Sequence, residues 1–217
     1  AEYVAKRFRE IGLAPAGENG SYFQTVPLLE ARIAKEGAEL KVKRNGREIA
    51  LRFQDQFLPA ANFNAAQHRV EAPAVFVGQG VHAPELDHDD FAGLDLKGRI
   101  AVVFGGAPAR FDNDRRAFYS SSREKLRALA TRGAVGVVFV STPEDEAGSP
   151  WAQAAADWQG SSMRLRGEDG KGLWTFPELQ GIAWVSAASA DLVFADGPRT
   201  AAQLFDEARA GTLKGFA

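Results

Sequence analysis

The sequence predicts a compact α/β domain with a mixed sheet and flanking helices, preceded by an N-terminal helix and a β-hairpin. Three observations support this fold class: four short apolar runs rich in β-branched residues, a helical pattern between the second and third of them, and an Asn45-Gly46 turn signal. Continuous apolar runs are typical of strands that are covered on both faces. The runs are residues 74–77, 100–104, 135–140 and 182–185. A strand, a helix and a strand in succession indicate a parallel pair with a right-handed crossover.

The N-terminal helix is predicted over residues 1–11. Val4, Phe8 and Ile11 recur at helical spacing and form one apolar stripe, and Gly12 supplies a stop. No capping residue precedes the helix, so we expect the chain to begin inside a helix that starts earlier in a longer protein. A short strand is predicted next, over residues 21–29.

The hairpin is predicted around Asn45-Gly46, which is a strong signal for a two-residue turn. Alternation on both sides of the turn predicts the register, with apolar residues on one face and opposite charges on the other. The predicted pairs are Leu40 with Leu51, Val42 with Ile49, and Lys43 with Glu48. Residues 57–70 show no regular period, so a connection is predicted there.

Three helices are predicted in the second half of the chain. The first covers 122–132, with Ser121 and Glu124 at capping-box spacing and Gly133 as its end. Ser186 is predicted to cap a second helix that runs through Leu192 and Val193. The third covers 200–209 and ends at Gly211.

Residues 141–181 form a connection of unusual length, which in a small domain is typical of functional or mobile segments. It carries Trp151, Trp158 and Trp174. Ser149 followed by Pro150 predicts the start of a short helix over 151–158. The tryptophans have two equally weighted interpretations: a binding surface, since aromatic residues dominate recognition hot spots, or a plug of the core beneath the loop.

Composition excludes several functional classes. The 217 residues are 45% hydrophobic and 25% charged, which excludes a disordered or fibrous chain. A net charge of -2 excludes a strongly basic nucleic-acid footprint. No apolar run is long enough for a membrane span. The absence of cysteine excludes disulfides, thiolate zinc sites and cysteine nucleophiles. Zinc chemistry would therefore need His68, His82, His88 and carboxylates, or residues outside this chain.

The best local metal candidate is the acidic cluster Asp87-His88-Asp89-Asp90, with His82 and Glu85 close by in the sequence. Carboxylate and imidazole groups can hold zinc or calcium, but the spacing fits no strict motif. The favoured interpretation is a turn in which Asp89 or Asp90 accepts hydrogen bonds from the backbone of residues 91–94. Whether the cluster binds a metal stays open at this point.

Three further motifs have plain structural interpretations. Ser122 and Lys125 match S-x-x-K, which in some acyl enzymes supplies a serine nucleophile and a lysine, but helix capping is favoured because the partner motifs are absent. Gly105-Gly106 follows a strand, yet no phosphate-loop pattern continues from it, and an ordinary loop is favoured. The charged run 112–116 is predicted to be solvated surface.

Residues 75–103, VFVGQGVHAPELDHDDFAGLDLKGRIAVV, resemble the opening of a protease-associated (PA) domain. The closest resemblance is to the PA domains inserted in zinc aminopeptidases of peptidase family twenty-eight. The shared elements are a strand, G-x-G, A-P-E, an acidic pair before an aromatic residue, and K-G-basic into the next strand. Residues 126–140, LRALATRGAVGVVFV, and the strand 182–185 before Ser186 resemble later parts of that domain. Residues 3–17 and 20–24 resemble the start of the peptidase domain of that family.

The resemblance implies a division of the chain into four parts. Residues 1–29 would belong to the peptidase domain, 30–70 would hold the hairpin and connection, 71–211 would be the PA domain, and 212–217 would begin the return to the peptidase domain. The family's two zinc ions are held by motifs downstream of the PA insertion. None of the three histidines here matches them, so no catalytic residue and no zinc ligand is assigned to this chain.

The function implied is that of a non-catalytic PA domain of a zinc-dependent exopeptidase, which acts as a lid or as a wall for substrate access. The alternative is a free-standing peptide or protein interaction module of the same fold. A self-contained hydrolase that uses Ser122 and Lys125, or the cluster at 87–90, is a third hypothesis. The whole enzyme would bind two zinc ions, whereas this chain needs no cofactor. By the same resemblance we expect export from the cytoplasm.

Substrate contacts are predicted at Trp151, Trp158, Arg164 and Arg166 in the long connection, because arginine binds a carboxylate through two parallel hydrogen bonds. The partners expected are a peptide substrate and the chain's own peptidase domain. When that domain is missing, we expect the stripe of Val4, Phe8 and Ile11 to pack against another apolar surface. It would fold back on the hairpin, swap with a neighbouring copy or form a dimer.

Overall fold

The computed structural model of the protein describes residues 1–34 and 36–217, and it confirms the predicted α/β fold class. The helices are α1 (Glu2–Glu10), α2 (Asn113–Ser120), α3 (Ser122–Ala130), α4 (Pro143–Gly148), α5 (Trp151–Ala156), α6 (Ala190–Phe194) and α7 (Ala201–Ala210). The strands are β1 (Leu28–Ala31), β2 (Leu40–Arg44), β3 (Arg47–Leu51), β4 (Phe57–Pro59), β5 (Ala74–Phe76), β6 (His82–Ala83), β7 (His88–Asp89), β8 (Ile100–Phe104), β9 (Gly136–Val140), β10 (Ser162–Leu165) and β11 (Gly181–Val185).

A five-stranded mixed sheet forms the centre of the molecule, in the order β4-β11-β9-β8-β5. The strands β5, β8, β9 and β11 are parallel, and β4 pairs with β11 in the antiparallel sense. The parallel strands are the four predicted runs, to within one residue at either end. The strand β4 falls at the start of the connection predicted at 57–70, so that prediction was wrong for residues 57–59, while residues 60–70 form a connection. Three residues at a sheet edge are too short to show a period.

Apolar side chains fill both sides of the sheet, as the continuous runs predict. One core layer contains Phe76, Phe104 and Val140 with residues of α6 and α7. The opposite layer contains Val103, Val137 and Leu129, the last of these from α3. The hairpin β2–β3 packs its Val42 and Ile49 against the first layer. Because both faces are covered, the polar chemistry of this domain is confined to the ends of the strands.

The hairpin has the predicted register at every pair. Leu40 lies opposite Leu51, Val42 opposite Ile49, and Lys43 opposite Glu48. The Lys43 ammonium lies 3.6 Å from the Glu48 carboxylate and 2.7 Å from that of Glu71. Asn45 and Gly46 both have positive φ, as this turn requires.

The strand predicted over 21–29 is largely wrong. A short helical turn at Glu18–Gly20 folds the chain back, so that the Gly17 and Glu18 amides donate to the Ser21 and Phe23 carbonyls. Pairing begins only after Pro27, in β1, which forms an antiparallel ribbon with β10. A partner from residue 162 onwards could not be inferred from local pattern.

The helix α1 confirms the first predicted helix, and its apolar stripe is exposed to solvent. Val4, Phe8 and Ile11 are 47%, 40% and 65% exposed. Ala5 is the buried residue of α1. This stripe therefore remains a surface for which we propose a partner, in line with the expected contact to a peptidase domain or a second copy.

The helix α3 confirms the predicted crossover helix, but its capping box does not form. The Ser121 side chain makes no capping hydrogen bond, and the Ser121 amide donates to the Phe118 carbonyl at the end of α2. Glu124 binds Arg127 instead.

The helix α2 was not predicted, because residues 112–116 at its start are polar on all sides. They are exposed, as predicted, and Asp112 caps the helix through the Arg115 amide at 3.0 Å.

The later helices follow the prediction with two corrections. Ser186 does not cap a helix by its side chain, which bonds the Ser189 hydroxyl at 2.9 Å before α6 begins. The helix α5 ends at Ala156 and has Pro150, not Ser149, at its capping position. The helix α7 starts with a full capping box of Thr200 and Gln203. No helix in residues 1–34 or 36–217 is both long and apolar enough to cross a membrane.

We expect Gly215→Ala to lower the free energy of unfolding by roughly 1–2 kcal/mol, because overpacking forces a backbone shift. A methyl group at Gly215 would lie 2.5 Å from the Phe76 carbonyl oxygen and 2.6 Å from a Leu94 methyl. This is where Phe216 pairs with Phe76 along the edge of β5. Urea unfolding measures the change. Gly148→Ala is the control, since nothing lies within 4 Å of that position, and an equal loss in both variants would contradict the prediction.

Candidate functional site

The carboxyl ends of the parallel strands gather the buried polar groups of the domain. The loop Gly78–Gly80 follows β5, Gly105 and Gly106 follow β8, and Ser141 and Thr142 follow β9 into α4. In open α/β sheets this edge is the usual position of ligands. The polar contacts between these loops decide whether the edge is free to bind or is used internally.

The carboxylate of Asp90 holds the loop Gly78–Gly80 in place. Asp90 is 8% exposed, and one of its oxygens accepts hydrogen bonds from the amides of Gln79 at 3.1 Å and Val81 at 3.0 Å. Gly78 has a φ of 61°, and a methyl group there would lie 3.2 Å from the carboxylate. The G-x-G motif is therefore required because the backbone wraps closely around a buried acid.

Lys125 holds the same loop from its other side. It is 2% exposed, and its ammonium group donates to the Gln79 carbonyl. Burial lowers the pKa of Lys125 to about 8, although the nearby carboxylates of Asp90 and Asp145 act in the opposite direction. The two carboxylates therefore offset part of the cost of burying the ammonium group, and the Gln79 carbonyl is its hydrogen-bond partner.

The structure gives no support to a serine–lysine nucleophile at Ser122. The Lys125 ammonium points into the loop Gly78–Gly80, whereas Ser122 is exposed at the first turn of α3. Within the described parts of the chain, the Ser122 side chain has no hydrogen-bond partner. A nucleophile needs a base within hydrogen-bond reach, so this arrangement lacks the geometry for acyl transfer.

The Gly105 loop and the start of α4 complete the network. The side-chain amide of Gln79 donates to the Gly105 carbonyl at 3.3 Å. The Asp145 carboxylate packs against Gly105 and accepts from the amide and hydroxyl of Thr142, both at 2.9 Å. Gly105-Gly106 is thus an ordinary loop, as favoured. These groups bind one another and form a structural clamp across three loops.

The acidic cluster forms a turn, as the favoured interpretation predicts. Asp89 accepts from the Phe91 amide at 2.9 Å and lies 3.2 Å from His82. Burial alone would raise the pKa of Asp89, but these two contacts outweigh it and hold the pKa below the ordinary value. His88 lies 3.0 Å from Asp90, on the inner side of the turn. Residues 1–34 and 36–217 contain no group of three or more histidine and carboxylate side chains that fits a metal ion.

A cleft of about 330 Å³ lies beside Lys125, between α3 and the segment after Gly80. It is lined mainly by polar and charged side chains. Glu124 binds Arg127, and His82 faces Asp89. The Arg132 guanidinium lies over the Phe91 ring at 4.0 Å and donates to the Ala128 carbonyl at 3.0 Å. Two of the charged groups of the cleft therefore have charged partners, and Arg132 is held by a ring and a carbonyl.

Trp151 and Trp158 dock the long connection onto the turn before β4. The Trp151 indole donates to the Gln54 carbonyl at 2.8 Å, and the Trp158 ring meets Phe53 edge-on at 5.0 Å. The Gln54 side chain in turn donates to the Ala155 carbonyl at 3.2 Å. Both tryptophans are half-buried, so they anchor the segment and keep part of each ring at the surface.

Arg164 and Arg166 lie apart from those tryptophans, on the ribbon and its continuation. The Arg164 guanidinium lies 5.1 Å from the Phe63 ring and donates to the Met163 carbonyl. The Arg166 amide donates to the Pro27 carbonyl, which extends the pairing of β1 with β10. Both side chains are exposed and remain predicted substrate contacts.

In the structure Trp174 stacks with Arg123, a contact that the sequence does not predict. The Arg123 guanidinium lies 4.8 Å from the centre of the Trp174 ring, and Trp174 is 54% exposed. The two residues lie far apart in the sequence, on α3 and in the loop before β11. The sequence singles out Trp174 as part of the long connection, but no local pattern predicts that Arg123 lies over its ring.

Comparisons with known proteins add the following. No family model matches the chain. The chain is similar to the solved structure of an aminopeptidase from Aneurinibacillus sp. strain AM-1, with 18% sequence identity and a TM-score of 0.40. The match covers 90% of this chain and 34% of that one. The chain thus spans about a third of the length of that aminopeptidase.

Proposed function

We propose that this chain is a non-catalytic PA-type domain of a zinc-dependent exopeptidase, and that it borders the access path of the peptide substrate. The observation that carries the proposal is that the PA-like motif residues bind one another and hold the loop Gly78–Gly80 in place. Gly78 lies against Asp90, the Gln79 and Val81 amides donate to that carboxylate, and Asp89 accepts from the Phe91 amide, so the motif builds a loop framework. Groups that bind one another in this way hold the surface of the loop in place.

The zinc ions of such an enzyme do not fit the residues described here. His82 and His88 each face a separate aspartate, and no third ligand joins either pair in residues 1–34 or 36–217. No catalytic step is therefore assigned to this chain, and zinc belongs to the proposed remainder of the enzyme. Export from the cytoplasm is part of the same proposal.

Two measurements separate this proposal from its alternatives. The sequence of the gene beyond Ala217 would contain a histidine-x-aspartate motif and a glutamate pair if the proposal is right, and neither if the chain is a free-standing interaction module. The chain itself, assayed with added zinc on aminopeptidase and esterase substrates, should be inactive. Activity that disappears in Ser122→Ala or Asp89→Ala would contradict the proposal and support a self-contained hydrolase.

We expect Arg164→Gln combined with Arg166→Gln to raise KM for a peptide several-fold in the whole enzyme, because two cations that can bind a substrate carboxylate are removed. The turnover number should stay unchanged, since a contact that binds the ground state and the transition state equally affects KM alone. Steady-state kinetics on a long peptide and on a small chromogenic amide measures both constants. Arg116→Gln, which changes an exposed arginine of α2, is the control. An unchanged KM for the long peptide would contradict a substrate contact at this ribbon.

A further inference from the structure

Trp174 differs from the other three tryptophans because its ring contacts a charged side chain, that of Arg123, and about half of it stays exposed. Trp151 donates to Gln54, Trp158 packs on Phe53, and Trp184 stacks on Phe139 with centroids 5.5 Å apart. Trp174 is 54% exposed, and in the described parts of the chain its indole donates to no acceptor. A large aromatic surface is therefore left in solvent.

The backbone conformation at Trp174 also supports a functional role for the exposed ring. Its φ is 56°, and that of Phe176, two residues on, is 44°. Bulky residues rarely take this left-handed conformation, and strain of this kind is concentrated at functional sites. Phe176 packs against the core layer that includes Leu129, so burial offsets its strain. Trp174 belongs to no apolar cluster in the described residues, so its strain is not offset by burial.

Arg123 gives the exposed ring a charged neighbour with free donors. Its guanidinium lies over the ring, and its contact with a carboxylate, that of Glu124, is long at 3.8 Å. Glu124 is itself bound to Arg127. Stacking on a ring uses the face of a guanidinium and leaves the N–H groups in its plane available for a carboxylate. Leu173, which is 41% exposed, precedes Trp174 in the chain and adds apolar surface to the same segment.

We propose that Arg123, Trp174 and Leu173 form a recognition site for a carboxylate next to an apolar side chain of an extended peptide. The carboxylate binds in the plane of the Arg123 guanidinium, and the neighbouring side chain covers Trp174 and Leu173. This inference rests on the proposed function, since it names the peptide chemistry that the domain selects. The carboxylate can be the C-terminus of the peptide or an acidic side chain.

The indole N–H signals of the chain in a ¹H–¹⁵N spectrum test the site directly, because there are four tryptophans. The probes are acetyl-Ala-Ala-Phe with a free carboxylate, the same peptide as its amide, and acetyl-Ala-Asp-Phe-Ala-amide. We expect the Trp174 signal to move with the first or third probe and to stay in place with the second. Movement with the first probe alone identifies C-terminal recognition, and movement with the third identifies an acidic side chain.

Arg123→Gln should reduce this binding at least tenfold, and Arg9→Gln, which removes an arginine beside Tyr22 on another surface, should leave it unchanged. Trp174→Asn assigns the signal and should abolish binding without lowering the melting temperature, because asparagine tolerates the left-handed backbone. A merely structural tryptophan would lower the melting temperature instead. The inference is overturned if no probe moves the Trp174 signal at millimolar concentration, or if Arg123→Gln binds equally well.

The two proposals can fail separately. If the whole enzyme depends on this domain for long peptides while none of the probes binds at Trp174, the inference fails and the proposed function stands. If the probes bind as expected but the gene encodes no zinc motif beyond Ala217, the site stands and the proposed function gives way to the interaction module.

Discussion

Asp90→Ala is expected to lower the free energy of unfolding by about 2–4 kcal/mol, since each buried amide that is left without its acceptor costs about 1–3 kcal/mol. The substitution leaves the amides of Gln79 and Val81 without their acceptor and leaves Lys125 with one carboxylate fewer beside its ammonium group. It also opens a cavity against Gly78. Urea unfolding of the variant and the parent chain measures the difference.

Asp89→Ala is the matched control for Asp90→Ala. Asp89 is exposed and accepts from one amide, that of Phe91, so its loss should cost about 1 kcal/mol, as for other capping residues. Hydrogen exchange should also distinguish the variants, because Asp90→Ala exposes the loop Gly78–Gly80 while Asp89→Ala exposes only the turn after β7. Equal losses from the two substitutions would show that the buried carboxylate does not hold the loop.

The free energy of unfolding is expected to rise with pH by about 2 kcal/mol between pH 7 and 9.5, because each unit of pKa difference is worth about 1.4 kcal/mol. The pKa of Lys125 is lowered by burial from 10.5 to about 8 in the folded chain. Below pH 8 both states carry the proton, and burial of the charge is fully unfavourable. Between pH 8 and 10.5 the unfolded chain binds the extra proton, so raising the pH favours the folded state.

Lys125→Arg should remove this rise, because arginine does not lose its proton in that range. Lys125→Met removes the titrating group altogether and serves as a second variant. Lys43→Met should retain the rise, since Lys43 is exposed and its pKa is raised by Glu71. Unfolding in urea at several pH values between 7 and 9.5 gives the profile. A profile that is flat in the parent chain, or unchanged in Lys125→Arg, would contradict the role of the buried ammonium.

Elements with a strong local period were predicted correctly. The hairpin register follows from the alternation around Asn45-Gly46, and the parallel strands follow from their continuous apolar runs. The failures have local causes too: α2 has no apolar stripe, β4 has three residues, and the capping role of Ser121 was lost because α2 ends directly before α3. Only for Ser121 did a neighbouring element decide the structure; α2 and β4 lack a pattern long or apolar enough to be read.

The motifs of the candidate site could be predicted from the sequence, but the contacts between residues on different elements could not. The turn formed by Asp89 was inferred from the acidic cluster, because an aspartate bonds its own neighbouring backbone. The burial of Asp90 beside Lys125 was not inferred, since residues on different elements meet there. The same limit applies to Arg123 over Trp174 and to Trp151 on Gln54.

The sequence by itself determined the α/β class, the hairpin register and the resemblance of the G-x-G to K-G stretch to a PA domain. These features depend on period, turn chemistry and residue order, which are local properties of the chain. Only the tertiary structure decided that Asp90 and Lys125 clamp one loop between them and that Trp174 stands exposed under Arg123. Such contacts depend on how strands and helices pack, because burial and charge pairing join residues that are distant in sequence.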